Sequence, residues 1–364
     1  MLYVVNGRIV AENEIFDGFI GIENGTIVEM SPGFPAFAPD ESIDAGGMLV
    51  VPGFIDIHCH GGGGKLFAQD PAAAMRAHRA RGTLGILPTV GYNMTRAEFL
   101  SAVSGIASME EKEILGINCE GPFINQEYGA DTRLASGIET GIYEEIYSAG
   151  KGRIRIWTFS PELEGAGDFK SFLASREEII PCAGHTGCKA DKLGGIRLIC
   201  HLFDAMGPKR RKCPAIHENG TAEAVLADDN LYAEIIADSE GVHVPRELLV
   251  IAYKIMGDRL ILISDAVSTP EAANEGDLNY NDSGELSGSL LSVGRAVANM
   301  RKHTGIGWPE AVRMGSLNPA RLLGINKEMG SIKPGKAADI VVMDEEANVY
   351  EVISGGRRIT DEKG

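Results

Sequence analysis

The stretch GFIDIHCH, residues 53–60, is a short apolar run that ends in two histidines flanking a cysteine. It lacks the strict polar alternation of a half-exposed strand, and near-continuous apolar runs mark strands buried on both faces of a parallel sheet. Seven runs of similar design follow: GTLGILPTV (82–90), EILGINCEG (113–121), RIRIWTFSPE (153–162), EIIPCAGHT (178–186), LICHLFDA (198–205), LYAEIIAD (231–238) and RLILISDA (259–266). Their average spacing, roughly 30 residues, is the length of one βα unit. Between them lie segments of helical spacing, among them PAAAMRAHRARG (71–82), TRAEFLSAVSGIAS (95–108) and VPRELLVIAYKIMG (244–257), with Thr95 and Pro245 as start signals and Gly82 and Gly257 as stops. Eight strands alternating with helices predict an α/β fold, a closed (β/α)8 barrel of the TIM type. An open doubly wound sheet is the structural alternative, but no glycine-rich phosphate fingerprint follows the first strand.

The two ends of the chain have a different texture. MLYVVNGRIV, GFIGIENGTIVEM and GGMLVV within residues 1–51 are strand-like pieces joined by turns such as Glu23-Asn24-Gly25, and residues 330–364 repeat the style in GSIKPGKAADIVVMDEEANVYEVISGGRRI. Too few strands stand at either end to be stable alone, so residues 1–51 and 330–364 are expected to pair into one small β-sandwich domain beside a barrel spanning 52–329.

Composition narrows the function classes. Of the 364 residues 44% are hydrophobic and 23% charged, ordinary values for a globular protein. No apolar run approaches the ~18–20 residues of a membrane span, and the N-terminus lacks a basic segment followed by a long apolar stretch. The six cysteines (59, 119, 182, 188, 200 and 213) form no CxxC pair and fit a reducing compartment, so the expected location is the cytoplasm. A formal net charge of −17 argues against a nucleic-acid partner. It would also repel a small anionic substrate unless local charge overrides it, and the densest basic cluster is Lys209-Arg210-Arg211-Lys212.

In a β/α barrel, chemistry gathers at the C-terminal ends of the strands. Here those ends carry His58 and His60, Glu120, His185, His201 and Asp265. Residues i and i+2 of a strand point the same way, so His58 and His60 share one side. A single strand-end histidine is more often a hydrogen-bonded loop residue than a ligand, but the whole set is poorly explained that way. Imidazoles and carboxylates are the usual ligands of zinc and similar divalent ions, and Glu120 is placed to bridge two of them. Asp265 alone reads as a helix N-cap. Beside a metal set it reads as the acid/base that moves protons for an activated water. His78, His217 and His303 fall in helix or loop contexts and are background.

These residues resemble a known family. PGFIDIHCHGG, the glutamate ending strand three, lone histidines ending strands five and six, and the strand-eight aspartate look like the amidohydrolase superfamily. CEGPFINQEYGAD, AGHTG, HLFDAM, AEIIADSEGVHV, ILISDA, LSGSLLSVGRAVANMRKHTG and GSIKPGKAADIVVMD are similar, in order and over nearly the whole chain, to N-acetylglucosamine-6-phosphate deacetylases. The resemblance implies that Glu120, His185 and His201 hold a shared metal and that His58 and His60 add a second-metal pair. Asp265 would be the acid/base, and His243 would contact a substrate phosphate. Arg211 is the preferred candidate for a phosphate-binding arginine within the basic cluster; a solvated basic loop is the alternative. Ala205 and Ser287 fall in blocks expected to line the substrate pocket. The resemblance also implies a homodimer. One or two divalent ions are expected, zinc first, with iron, manganese or cobalt as alternatives, because the same N/O ligand set accepts all of them.

Three departures stand out. Gly129-Ala130-Asp131 replaces the family's GAH, Asp204 stands where the family has asparagine, and Ser239-Glu240 is an excess before GVHV. Acidic residues beside a phosphate are unfavourable by Coulomb's law. The leading expectation is therefore deacetylation of N-acetylglucosamine 6-phosphate. The competing one is a related amidohydrolase for another N-acyl compound, phosphorylated or not, with Asp131 and Asp204 contacting its hydroxyls or a cationic group. A metal-binding homologue without turnover is the third reading.

Overall fold

A computed structural model describes residues 1–207, 219–267 and 276–359. Eight parallel strands form one sheet whose spatial order is the chain order: Phe54–Cys59, Thr83–Val90, Ile117–Glu120, Ile154–Phe159, Ile180–Ala183, Leu198–Ile199, Tyr232–Ile235 and Leu260–Leu262. Each falls inside one of the eight apolar runs. Burial explains their composition, since every residue of the first, second, third, fifth and eighth strands is buried. Just beyond the eighth strand, Asp265 N donates to His58 O at 3.0 Å, and His60 N and Gly61 N donate to Ala266 O at 2.8 and 3.0 Å. These bonds join the last strand's extension to the first strand, giving the nearly closed barrel expected of the TIM type.

The predicted helices form at Pro71–Ala80, Arg96–Ala107 and Arg246–Met256. Thr95 caps the second by a full capping box: its side chain accepts from Glu98 N, and Glu98 returns a bond to Thr95 N at 2.8 Å.

By packing, the described chain divides into one unit of residues 1–56, 76–85 and 292–364 and another of 57–75 and 86–291. In the first unit the terminal strands of both chain ends make one continuous eight-stranded sheet, in which Ile340–Met343 pairs antiparallel with Leu49–Pro52. The strands Ile15–Glu23 and Thr26–Pro32 meet through Asn24 and Gly25, both left-handed (φ 49° and 79°), the two-residue turn expected of that pair. A bridge from Thr26 to Ala337 brings the far edge back toward the C-terminal segment. The inner face packs on itself through alternating Leu2/Val4, Ile20/Ile22 and Ile340/Val342. The second unit contains the strand ends singled out above.

Candidate active site

The third barrel strand ends in Glu120, and its carboxylate meets four imidazoles. Glu120 Oε1 lies 2.8 Å from His185 Nε2, 3.2 Å from His201 Nε2 and 3.6 Å from His58 Nε2. Its Oε2 lies 3.2 Å from His60 Nε2. Asp265 Oδ1 approaches the same point, 3.3 Å from His60 Nε2 and 3.5 Å from His58 Nε2. The structure thus brings together all six strand-end residues expected from the sequence.

Which atoms carry protons follows from what lies behind each ring. His185 Nδ1 faces the Tyr128 carbonyl at 3.1 Å, and His201 Nδ1 faces the Asp204 carbonyl at 3.3 Å. His58 Nδ1 faces Glu234 Oε2 at 2.9 Å. Carbonyls and carboxylates only accept, so in a neutral ring the proton sits on Nδ1 and the Nε2 lone pair points inward. His185 Nε2 and His201 Nε2 are 3.1 Å apart, with Glu120 Oε1 against both. With both rings neutral, three acceptors converge with no donor among them, and a cation, proton or metal ion, is what that arrangement fits. Glu120, His185 and His201 form one group able to hold a metal ion, and His58, His60 and Glu120 form another.

Electrostatics lead to the same place. Burial disfavours charge on His60, but hydrogen bonds with Asp265 and Glu120 outweigh it and push the ring up to about 10. His201 is likewise pulled down by burial and pushed up to about 10 by Glu120, then Asp265 and Asp204. Burial opposes ionisation of Glu120, yet His58, His185 and the other rings hold its carboxyl well below the usual range. The pocket is built to hold positive charge at its centre.

The backbone is bent to aim these groups. His185, His201 and Asp265 have φ of 48°, 23° and 47°, left-handed values uncommon for side chains with a Cβ and concentrated at functional sites. Gly129, at φ 119°, lies directly over His185, where an added Cβ would stand 2.7 Å from Nδ1. Ser289 N donates to Asp265 O at 2.8 Å, tying the segment Leu286–Ser289 to the strand-eight end.

Above this cluster opens a cavity of about 420 Å³, lined by His60, Tyr92, Asn93, Ala205, His243 and Ser287 among others. Asp204 also lines it, with Oδ2 at 3.5 Å from His243 Nδ1. Burial raises the Asp204 carboxyl, while His243 pulls the other way. Asp131 is not brought to the cleft. Its carboxylate turns to Arg133 at 2.7 Å and its side chain is 41% exposed, because the left-handed backbone at φ 48° directs it away while Gly129 and Ala130 form the wall. Arg211 and the rest of Lys209–Lys212 lie outside the described residues. Among the described residues, no lysine or arginine lines the cleft.

Sequence reasoning missed three side chains. Glu234 is fully buried and orients His58; a lone acid inside the apolar run LYAEIIAD was its signal. Tyr92 sets its ring edge-on to His185 at 4.7 Å and donates to Ala130 O at 2.9 Å; nothing in its sequence context announces that. Cys200, buried beside the centre, places Sγ 3.5 Å from His58 Nδ1.

A parallel barrel whose C-terminal rim gathers four imidazoles and two carboxylates defines the class, a metal-dependent hydrolase. Residues 200–359 match the family model described as the amidohydrolase family. The chain is 29% identical to the N-acetylglucosamine-6-phosphate deacetylase of Bacillus subtilis (strain 168), covering 98% of this chain and 96% of the relative. It is 28% identical to the N-acetylgalactosamine-6-phosphate deacetylase of Escherichia coli O157:H7, covering 97% and 98%. A solved structure of an N-acetyl-D-glucosamine-6-phosphate deacetylase variant from Mycobacterium smegmatis, in complex with N-acetyl-D-glucosamine-6-phosphate, superposes with a TM-score of 0.84 at 26% identity, covering 98% of each chain. Over nearly its whole length the chain is similar to amidohydrolases of this kind, and it is a metal-dependent amidohydrolase. Among its described residues no helix is long and apolar enough to cross a membrane.

Proposed function

We propose that this protein hydrolyses the amide of N-acetylglucosamine 6-phosphate, giving glucosamine 6-phosphate and acetate. The observation that carries the reading is the convergence of Glu120, His185, His201 and Asp265 at the floor of one cleft. Support for the substrate comes from the full-length likeness to deacetylases of 6-phosphorylated N-acetyl sugars. The two acids that favour a different N-acyl substrate lose much of their force: Asp131 faces Arg133, and Asp204 faces His243.

Glu120, His185 and His201 would hold one divalent ion, with His58 and His60 available to a second; zinc is the ion we favour. Such an ion acidifies water and polarises the carbonyl oxygen of an amide. Asp265 sits where it can accept a proton from the attacking water through one carboxylate oxygen. The same group then delivers a proton to the amine nitrogen as the C–N bond breaks, so the carboxylate ends as it began. His58 is kept in its Nδ1–H form by Glu234, which leaves its Nε2 lone pair directed at the centre, where it could hold an ion. Ala205, His243 and Ser287 line the sugar site, and Arg211 is the candidate phosphate partner by resemblance alone.

Functionally we assign residues 52–329 to the catalytic barrel and residues 1–51 with 330–364 to the small β domain. We further propose a cytoplasmic homodimer with no nucleic-acid or membrane partner. Acetate release from the phosphorylated sugar by metal-loaded protein tests the function. Turnover supports it, and inertness with metal bound contradicts it.

A further inference from the structure

Two buried polar atoms of cleft-lining residues have no hydrogen-bond partner among the described residues, Oδ2 of Asp204 and Nε2 of His243. The histidine is only 7% exposed, so its nitrogen is not simply solvated. His243 is held from two sides. Asp238, fully buried just after the seventh barrel strand, accepts from the backbone N–H of His243 at 2.9 Å and from those of Glu240 and Val242, both at 3.0 Å. That clamp fixes the main chain of the loop in which Ser239 and Glu240 are extra. The ring is held separately, with Nδ1 turned to Asp204 Oδ2 at 3.5 Å. A carboxylate can only accept, so it favours the proton on Nδ1 and sets which nitrogen remains for the cavity.

We propose that Asp204 is a positioning residue that acts through His243 rather than on the sugar: it fixes the ring's orientation and, facing a proton on Nδ1, keeps the ring able to donate from Nε2 to substrate. This rests on the reading that the cleft takes a 6-phosphorylated N-acetyl sugar. An anionic oxygen at Nε2 needs a donor there, and a carboxylate at Nδ1 is the partner that keeps a ring donating at both nitrogens favourable. The acid that looks hostile to a phosphate in the sequence then serves it at one remove. The hydrogen-bond contact of Asp204 with the metal-holding cluster is made by its backbone carbonyl, to His201 Nδ1, and its carboxylate acts on that ring through charge.

The test compares metal-loaded wild type, Asp204→Ala and Asp204→Asn in three readouts. These are KM and kcat for N-acetylglucosamine 6-phosphate, the inhibition constant of inorganic phosphate, and the 15N resonances of His243 without substrate. Asp204→Ala is expected to raise KM and the phosphate constant about tenfold with kcat within about twofold, the pattern of lost binding rather than lost chemistry. Asp204→Asn keeps an acceptor oxygen and should recover most of that loss. Wild-type His243 should show a proton on Nδ1. An unchanged KM in Asp204→Ala overturns the proposal. So does a fall in kcat at constant KM, which would put Asp204 to work on the metal cluster through His201. A bare Nδ1 in the wild type also overturns it, even where Asp204→Ala does not fold. Failure of the substrate reading looks different: wild type releases no acetate from the phosphorylated sugar, while the 15N readout still reports on the ring.

Discussion

At the scale of single residues, Glu120 and Asp265 share one cavity but differ in what their loss should do. Glu120 touches four imidazoles and is shared by two of the groups able to hold metal. The Asp265 carboxylate meets the imidazoles of His58 and His60 through Oδ1, with its second oxygen outside those contacts. Asp265→Asn is therefore expected to lower kcat by about a thousandfold, in the range for removing a general acid/base, with bound metal unchanged. Near-normal turnover in that variant would remove Asp265 from the mechanism. Glu120→Gln should instead lose metal, read by elemental analysis after dialysis, because a neutral amide cannot balance the charge of the ion. Most of this centre was legible because barrel strands place their last residues on one rim, so identity and position sufficed. Asp131 was not, since its side-chain direction depends on a left-handed φ in a loop that no periodicity describes. Glu234 was hidden for the opposite reason: it lies inside a strand and acts from behind His58.

At the scale of elements, the loop after strand three and the helix after strand two make contrasting cases. Gly129 arches over His185 at φ 119°, and a methyl group there would meet the ring nitrogen at 2.7 Å. Gly129→Ala should strain the backbone and displace His185, so metal affinity and activity fall together; unchanged metal binding would show that the loop yields instead. The helix Arg96–Ala107 is remote in role. Thr95→Ala removes its capping box and is expected to cost about 1 kcal/mol in denaturant unfolding while leaving kcat and KM alone. Elements were the most readable level of this chain. Eight apolar runs became eight strands because strands buried on both faces admit little else, and Asn24-Gly25 became a turn because both positions require positive φ. Strand lengths were less readable: the sixth shrinks to Leu198–Ile199, since the polar end of LICHLFDA leaves the ladder to aim His201.

At the scale of the whole molecule, the chain carries a net charge of −17 yet is proposed to bind a phosphate monoester. On that proposal local charge would have to overcome the field, with divalent ions, His243 and the Arg211 stretch as the candidates. Removing the ions with a chelator should abolish acetate release while circular dichroism keeps its barrel signature, and adding back a divalent ion should restore activity. Persistence of activity after metal is shown to be gone would contradict a metal-dependent mechanism. The proposed homodimer is checked by light scattering at micromolar concentration, where a monomer would sink it. The most direct test of the central claim is acetate release by the metal-loaded protein from N-acetylglucosamine 6-phosphate beside unphosphorylated N-acetylglucosamine. The expected result is efficient turnover of the phosphorylated sugar and little of the other. Acetate from neither, or a preference for the unphosphorylated sugar, would contradict it and point the cleft at a different N-acyl compound.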